Sequence, residues 1–208
     1  MRNIGVFGGS FNPIHNGHIH LAKVVRDELC LDKVIFVPSS NPPHKDSDEF
    51  ESNEDRLEMC RLAIADFKEF EVSGYELESK EVNFTVYTIR HFKEVYPNDN
   101  LFLLLGSDML LSFDTWFRFD DILKNVTLAI VSRKKDDMKR LYEKAEVLSA
   151  FGVINVLDTR PIEISSTIIR KKIRNNEDFS CYLAKSVVKY IRLKNLYSND
   201  KRGINSDN

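Results

Sequence analysis

Residues 8–18 have the sequence Gly8-Gly9-Ser10-Phe11-Asn12-Pro13-Ile14-His15-Asn16-Gly17-His18, and they follow a short apolar run at residues 4–7. An amphipathic segment comes next, so the order favours a strand, a glycine-rich turn and a helix. Such a turn brings backbone N–H groups and a helix N-terminus together, where a phosphate binds well. Asn16 is a good N-cap, which places His15 just before the cap and His18 in the first turn. The stretch predicts a phosphate site with two imidazoles, rather than a capped helix with two surface histidines.

Apolar, β-rich segments recur along the chain, and the segments after the first, fourth and fifth of them have helical patterns. This alternation predicts an α/β fold with a doubly wound parallel sheet. Ligands bind such sheets outside the carboxyl ends of the strands, near a switch in strand order. The turn at 8–18 and the sequence Gly106-Ser107-Asp108 are therefore expected to open onto the same edge. The candidate strands are residues 4–7, 33–38, 70–73, 101–105, 126–131 and 153–156.

Length and charge narrow the possible classes of protein. The 208 residues are enough for one α/β domain, expected at 1–197 with a helical C-terminal region at 165–197 and a polar tail at 198–208. The formal net charge of -2 argues against a general nucleic-acid-binding protein. No apolar run approaches the length that spans a membrane, and a strand begins almost at once, so we expect neither a membrane partner nor a signal peptide. Three scattered cysteines are expected to be reduced core residues of a cytoplasmic protein, without metal-binding spacing.

Three further segments carry candidate ligand groups. Ser165-Ser166-Thr167 precedes a helical pattern, and Arg170 follows one turn later, which suits phosphate oxygens; a plain serine cap is the simpler interpretation. Asp108 could accept hydrogen bonds from ribose hydroxyls or from the adenosine side, or could cap a helix. Trp116, the one tryptophan, could stack on a flat ring or pack in the core. Two prolines stiffen the polar segment before His44 and Lys45, which could bind phosphate or simply be solvated.

The motifs resemble those of a known family. His15-Asn16-Gly17-His18 looks like the (H/T)xGH signature of the nucleotidylyltransferase superfamily, and the longer string 8–18 looks like that of bacterial nicotinate-nucleotide adenylyltransferases, where Asp is common at Asn12. The resemblance covers the chain to about residue 197, in a matching order. It continues in Pro42-Pro43-His44-Lys45, in Gly106-Ser107-Asp108 with Trp116, and in Ile164-Ser165-Ser166-Thr167-Ile168-Ile169-Arg170.

This resemblance implies a Rossmann-like nucleotidylyltransferase fold and adenylyl transfer from ATP to nicotinate mononucleotide in NAD biosynthesis. Mg²⁺ is expected, bound mainly through ATP phosphates and without a dedicated protein metal site. The implied catalytic residues are His18, His15 and Arg170. The implied ATP-binding residues are Gly8, Gly9, Ser10, Phe11, His15, His18, Gly106, Asp108, Ile164, Ser165, Ser166 and Arg170. The implied acceptor-binding residues are His44, Lys45, Thr85, Trp116 and Phe117, with backbone N–H groups at Trp116 and Phe117 helping to hold the ring carboxylate.

Residues 79–88 depart from the family pattern. Ser79, Glu81, Asn83, Phe84 and Tyr87 stand where Arg, Gly, Ser, Tyr and Asp are common, while Thr85 and Thr88 remain. Phe117 stands where many relatives have Tyr, and residues 133–135 replace a common Arg-Pro-Gly. These changes affect selectivity for the acceptor more than the chemistry of ATP. A nicotinamide mononucleotide adenylyltransferase therefore remains an alternative function. Two other functions, a pantetheine-phosphate adenylyltransferase and an inactive nucleotide-binding protein, fit these motifs less well. A homo-oligomer is left open.

Overall fold

The computed structural model describes residues 1–40, 50–78, 83–132, 138–158 and 164–199. Within these ranges six strands form one parallel sheet, as predicted, and each predicted strand is present with its ends shifted by two residues or fewer. The strands are β1 (Asn3–Gly9), β2 (Lys33–Pro38), β3 (Phe70–Val72), β4 (Asn100–Gly106), β5 (Thr127–Val131) and β6 (Ile154–Leu157).

The strand order is β3-β2-β1-β4-β5-β6, so the direction of winding switches between β1 and β4. Ile4 of β1 pairs with Lys33 of β2 on one side and with Leu101 of β4 on the other. Both strands end in glycine at the same edge, with Gly9 closing β1 and Gly106 closing β4. The predicted meeting of the two glycine-containing segments at one edge, near the switch point, is therefore confirmed.

Helices cover both faces of this sheet. Side chains alternate between the faces along each strand, and the apolar side chains fall into two buried clusters. Helices α1, α2, α8 and α9 contribute to one cluster, and α4, α6 and α7 contribute to the other. The described helices are α1 (Asn16–Glu28), α2 (Asn53–Ile64), α3 (Tyr75–Glu78), α4 (Thr85–Val95), α5 (Ser107–Leu111), α6 (Phe119–Asn125), α7 (Met138–Leu148), α8 (Ser166–Arg174) and α9 (Lys185–Lys194). Short 3-10 turns lie at Phe113–Thr115 and Ser180–Tyr182.

Two long helices were not indicated by the sequence pattern. The buried face of α2 includes Arg56, which is fully buried and interrupts the apolar repeat that marks a helix. Helix α4 begins Thr-Val-Tyr-Thr-Ile, a composition that favours strands, and its helical form follows from burial of Val86, Ile89 and Phe92. The helices predicted after the first, fourth and fifth strands are present. Across the described ranges, none of the helices has the length and apolarity that a membrane crossing would need.

Candidate active site

The loop after β1 is held in an unusual backbone conformation. Phe11 has a φ of 43°, in the left-handed region that favours glycine, and its side chain is 1% exposed. Its ring packs edge-on against Phe7 and His18, at centroid distances of 5.5 and 5.0 Å, and the Asn12–Pro13 peptide bond, one residue further on, is cis. Non-glycine residues held in this region are often found at ligand sites. Burial of the Phe11 ring fixes the path of the loop toward His15.

The two histidines of the loop are locked together at the start of α1. Their rings stack at a centroid distance of 3.6 Å, and the backbone N–H of His15 donates to Nδ1 of His18 at 3.2 Å. The N-cap is His15, not Asn16 as predicted, because Nδ1 of the third helical residue, His18, accepts from the backbone of the cap. An Nδ1 atom that accepts leaves the imidazole proton on Nε2. His18 therefore offers an Nε2–H donor at the edge of the sheet.

Helix α8 is docked onto this loop by two side chains predicted as ATP ligands. Ser166 Oγ donates to the Pro13 carbonyl at 2.9 Å, and Arg170 Nη1 donates to the Asn12 carbonyl at 2.9 Å. Ser165 is the N-cap and its Oγ accepts from the Ile168 N–H at 3.3 Å, so its hydroxyl caps the helix, as the simpler interpretation expected. The N-terminus of α8 thus lies beside the loop that leads into α1, and two converging helix starts are an arrangement that can bind phosphate groups.

Two glycines of the loop, Gly17 and Gly8, differ in the space that surrounds them. A Cβ on Gly17 would lie 3.1 Å from Nδ1 of His15 and 3.7 Å from Cβ of Ile164, so Gly17 lets Ile164 and the His15 ring approach closely. A Cβ on Gly8, by contrast, would meet no atom of the described residues within 4 Å. Gly8 and Ser10 are exposed. The open space beside Gly8 is therefore available to a ligand.

Asp108 lies at the carboxyl end of β4, as predicted, but does not cap the following helix. Gly106 is the N-cap of α5, and Asp108 is an exposed residue of its first turn. A carboxylate in the first turn of a helix is stabilised by the helix dipole. Its position at the edge where Gly9 and Gly106 end suits contact with a nucleotide.

Three of the predicted acceptor residues line one cavity of about 280 Å³, namely Thr85, Trp116 and Phe117. Trp116 is half-buried, with its ring 5.0 Å from that of Phe113, so it combines core packing with a face toward the cavity. Among the described residues, no charged side chain lines this cavity. His44 and Lys45 lie outside the described residues. The described residues that line it are Asn83, Phe84, Thr85, Thr115, Trp116, Phe117 and Ile122.

The backbone donors at this cavity differ from the prediction. The N–H of Trp116 donates to the Phe113 carbonyl at 3.0 Å, so it is committed to the 3-10 turn and does not serve as expected. The N–H of Phe117 has no acceptor among the described residues. Thr85 is the first residue of α4, where N–H groups have no partner within the helix. Phe117 N–H and the first N–H groups of α4 are therefore the backbone donors that this cavity can offer to a ligand.

Asn83 and Thr88, at the start of α4, both bond to the buried residue Glu76. Thr88 Oγ1 donates to Glu76 Oε1 at 2.6 Å, and Asn83 Nδ2 donates to the Glu76 carbonyl at 2.7 Å. Asn83 Nδ2 also donates to Ser40 Oγ at 3.2 Å, which joins this segment to the end of β2. Burial raises the pKa of Glu76, and the hydrogen bond from Thr88 opposes that shift. Of the substituted residues, Asn83 thus has defined hydrogen-bond partners next to Thr85, whereas Ser79 and Glu81 lie outside the described residues.

Two residues that support the loop were not found from the sequence. The guanidinium of Arg56 is fully buried and its Nη1 donates to the Ser10 carbonyl at 2.7 Å. Tyr197 is buried and its hydroxyl donates to Asn12 Oδ1 at 2.9 Å. In the sequence, Arg56 stands inside a segment that forms a helix, and Tyr197 stands just before the polar tail. Neither position indicates a role near the loop, because the bonding partners lie far away in the sequence.

The three cysteines differ in their exposure to solvent. Cys60 is buried as predicted, but Cys30 and Cys181 are exposed, so the expectation that all three lie in the core is wrong for these two. All three are free thiols. In the part of the chain that the structure describes, no group of three or more His, Cys, Asp and Glu residues could hold a metal ion.

Comparison with known proteins places the chain among nucleotide-transferring enzymes. The family model described as cytidylyltransferase-like matches residues 6–172. A Clostridium botulinum (strain Eklund 17B / Type B) protein named "probable nicotinate-nucleotide adenylyltransferase" is 38% identical over 203 residues, which cover 96% of this chain and all of that protein. A Clostridium tetani protein of the same name is 36% identical, over 95% of this chain and all of its own length.

A solved structure supports the fold independently of sequence. Plasmodium falciparum nicotinic acid mononucleotide adenylyltransferase, complexed with NaAD, superposes with a TM-score of 0.78 at 21% identity, covering 95% of this chain and 98% of its own. At that identity the likeness concerns the fold, and it agrees with the six-stranded parallel sheet.

Proposed function

Because this chain belongs to the nicotinate-nucleotide adenylyltransferase family, we propose that it transfers the adenylyl group of ATP to nicotinate mononucleotide. The products are nicotinate adenine dinucleotide and pyrophosphate, a step in the synthesis of NAD. The observation that carries the proposal for the site is the docking of α8 onto the loop at 8–18 through Ser166 and Arg170. This contact brings two helix N-termini and two histidines to the switch point of a parallel sheet.

In this reaction a phosphate oxygen of the acceptor forms a bond to the α-phosphorus of ATP. The bond between that phosphorus and the bridging oxygen to the β-phosphate breaks, and pyrophosphate leaves with the electron pair. Negative charge grows on the non-bridging oxygens, so fixed donors lower the barrier by electrostatic stabilisation and alignment. We assign this role to His18 through Nε2–H, with His15 as its stacked neighbour and second phosphate ligand.

Arg170 is assigned to the leaving pyrophosphate. Its guanidinium carries a fork of donors, and Nη1 is already held by the Asn12 carbonyl. The remaining donors suit β- and γ-phosphate oxygens. Further contacts to ATP are assigned to the glycine turn at 8–11, to Gly106 and Asp108 beyond β4, and to 164–166 at the start of α8.

The acceptor ring is assigned to the cavity between α4 and the turn that carries Trp116. Trp116 supplies a stacking face, while Thr85 and the N–H of Phe117 supply donors for the carboxylate. We assign selectivity for a carboxylate to these neutral donors and to the N–H groups at the start of α4. His44 and Lys45 remain our candidates for the acceptor phosphate, since the family motif includes them.

Mg²⁺ is proposed to enter with ATP. We propose that the ion is bound mainly through phosphate oxygens and water, as is usual for Mg²⁺ that accompanies a nucleotide. When bound, the ion neutralises charge on the phosphates. Residues 1–197 are proposed as one nucleotidylyltransferase domain followed by a polar tail, and nucleic acid is not a proposed partner.

The test is the initial rate of pyrophosphate release with ATP and Mg²⁺, measured separately with nicotinate and nicotinamide mononucleotides. We expect a strong preference for the nicotinate form. Equal rates, or a preference for the amide, would keep adenylyl transfer and overturn the acceptor. Absence of release with both acceptors would overturn the enzymatic assignment of this site.

A further inference from the structure

The segment that follows α9 returns to the loop at 8–18. Leu196 and Tyr197 are buried, and Tyr197 has a φ of 62°, so the chain turns sharply inward after the helix. The hydroxyl of Tyr197 donates to Asn12 Oδ1 at 2.9 Å across 185 residues of sequence. Its backbone N–H donates to the carboxylate of Glu51, and the Glu51 N–H donates to the same Asn12 Oδ1 at 3.3 Å. One amide oxygen of the loop is therefore held by two distant segments.

Asn12 also contacts the arginine proposed to bind ATP. Its side chain accepts from Tyr197, while its main-chain carbonyl accepts from Arg170 Nη1 at 2.9 Å. Asn12 is 1% exposed and Tyr197 is 6% exposed, so water does not compete strongly for these bonds. Burial also raises the pKa of Tyr197 well above its ordinary value, which keeps the phenol protonated and able to donate.

We propose that Tyr197 is a positioning residue for ATP: its hydroxyl fixes Asn12, and the carbonyl of Asn12 in turn orients the guanidinium of Arg170. The C-terminal segment thereby becomes part of the nucleotide site without touching the nucleotide. This inference rests on the proposed binding of ATP phosphates by Arg170. An arginine held at one donor presents the others in a fixed direction, which reduces the entropy lost when the phosphates bind.

A second tyrosine of the same region provides the matched comparison. Tyr190 in α9 donates its hydroxyl to Asp55 Oδ1 at 2.8 Å, on α2, and this bond makes no contact with Asn12 or Arg170. Tyr190→Phe and Tyr197→Phe each remove one phenol hydroxyl and one hydrogen bond. The two variants differ in one respect: the bond lost in Tyr197→Phe is to Asn12, which contacts Arg170, whereas the bond lost in Tyr190→Phe is to Asp55.

The experiment measures kcat and KM for both substrates in four enzymes: wild type, Tyr197→Phe, Arg170→Lys and the double variant, with Tyr190→Phe alongside. We expect Tyr197→Phe to lower kcat/KM for ATP by about fivefold to tenfold, the loss typical of one neutral hydrogen bond. KM for nicotinate mononucleotide should stay unchanged, and Tyr190→Phe should match the wild type in both substrates. In the Arg170→Lys background, Tyr197→Phe should cause little further loss, because the group that it orients has already gone.

Two results would overturn the proposal: independent, multiplicative losses in the double variant, or a Tyr197→Phe enzyme that behaves like Tyr190→Phe. An inactive wild type would instead contradict the proposed function. If Tyr197→Phe does not fold, Asn12→Ala and Asn12→Asp decide the question. The aspartate keeps an acceptor for the tyrosine, so we expect KM for ATP to rise in Asn12→Ala and to stay near the wild type in Asn12→Asp. An equal KM for ATP in these two variants would contradict the role of Tyr197.

Discussion

The backbone N–H of His15 donates to Nδ1 of His18 at 3.2 Å, while the two imidazoles stack with their centroids 3.6 Å apart. The hydrogen bond sets the tautomer of His18, and the stack together with the edge of Phe11 prevents rotation of its ring. A donor that is already oriented needs no reorganisation when charge develops on the phosphate. The arrangement of this pair makes Nε2 of His18 the atom whose loss should matter most.

We expect His18→Ala to lower kcat by about 10²–10³-fold, the effect of removing one preorganised donor in an enzyme site. Pyrophosphate release at saturating substrates measures it. His20→Ala, on the same helix two residues later, is the control and should retain the wild-type kcat. A His18→Ala enzyme that releases pyrophosphate at the wild-type rate would remove His18 from catalysis.

The space beside Gly8 provides a second test of where ATP lies. An added Cβ would meet no atom within 4 Å in the part of the chain that the structure describes, so Gly8→Ala should leave the melting temperature unchanged. If the phosphates occupy that space, the methyl group should raise KM for ATP by about tenfold, a cost in the range of overpacking. Gly5→Ala is the contrasting variant, because its Cβ would lie 2.9 Å from Leu31 Cδ1 and 3.0 Å from Leu104 Cδ1 in the core. Gly5→Ala should lower the melting temperature without selectively raising KM for ATP. An unchanged KM for ATP in Gly8→Ala would mean that ATP binds elsewhere.

The sequence predicts the parallel sheet and the start of α1 because those features depend on local patterns: apolar strands, paired glycines and helical spacing. It misses α2 because Arg56 replaces an apolar residue on the buried face, and a buried arginine is recognised only through its partner at Ser10. It misplaces the cap of α1 by one residue because His15, whose N–H donates to the side chain of His18, is the N-cap in place of the expected Asn16. The contribution of Tyr197 depends on a contact across 185 residues, which no local pattern contains.

Trp116 should affect the binding of the acceptor and not the binding of ATP. Replacing it with alanine removes the stacking face of the cavity, and an aromatic stack on a heterocycle is worth about 1–3 kcal/mol. We therefore expect KM for nicotinate mononucleotide to rise about tenfold or more in Trp116→Ala, with KM for ATP unchanged. Tyr87→Ala is the matched control, because its exposed ring lies 6.2 Å from that of Phe117 and outside the lining of the cavity. Equal increases in both Michaelis constants would mean that Trp116 serves only to pack the fold.

Glu76 gives a prediction for stability against pH. Burial raises its pKa in the folded protein above the unfolded value, so folding favours the protonated carboxyl. The wild type should therefore lose stability as the pH rises from the unfolded pKa, about 4.3, through the raised folded pKa. Glu76→Gln cannot ionise, yet its amide oxygen can still accept from Thr88. We expect this variant to melt at a higher temperature than the wild type at pH 8. In a chain of this size each kcal/mol gained in the free energy of unfolding raises the melting temperature by about 2–4 °C. The difference should shrink toward pH 4. Glu78→Gln changes an exposed neighbour and should show no such trend. A difference in melting temperature between Glu76→Gln and the wild type that stays constant from pH 4 to 8 would mean that ionisation of Glu76 does not limit stability.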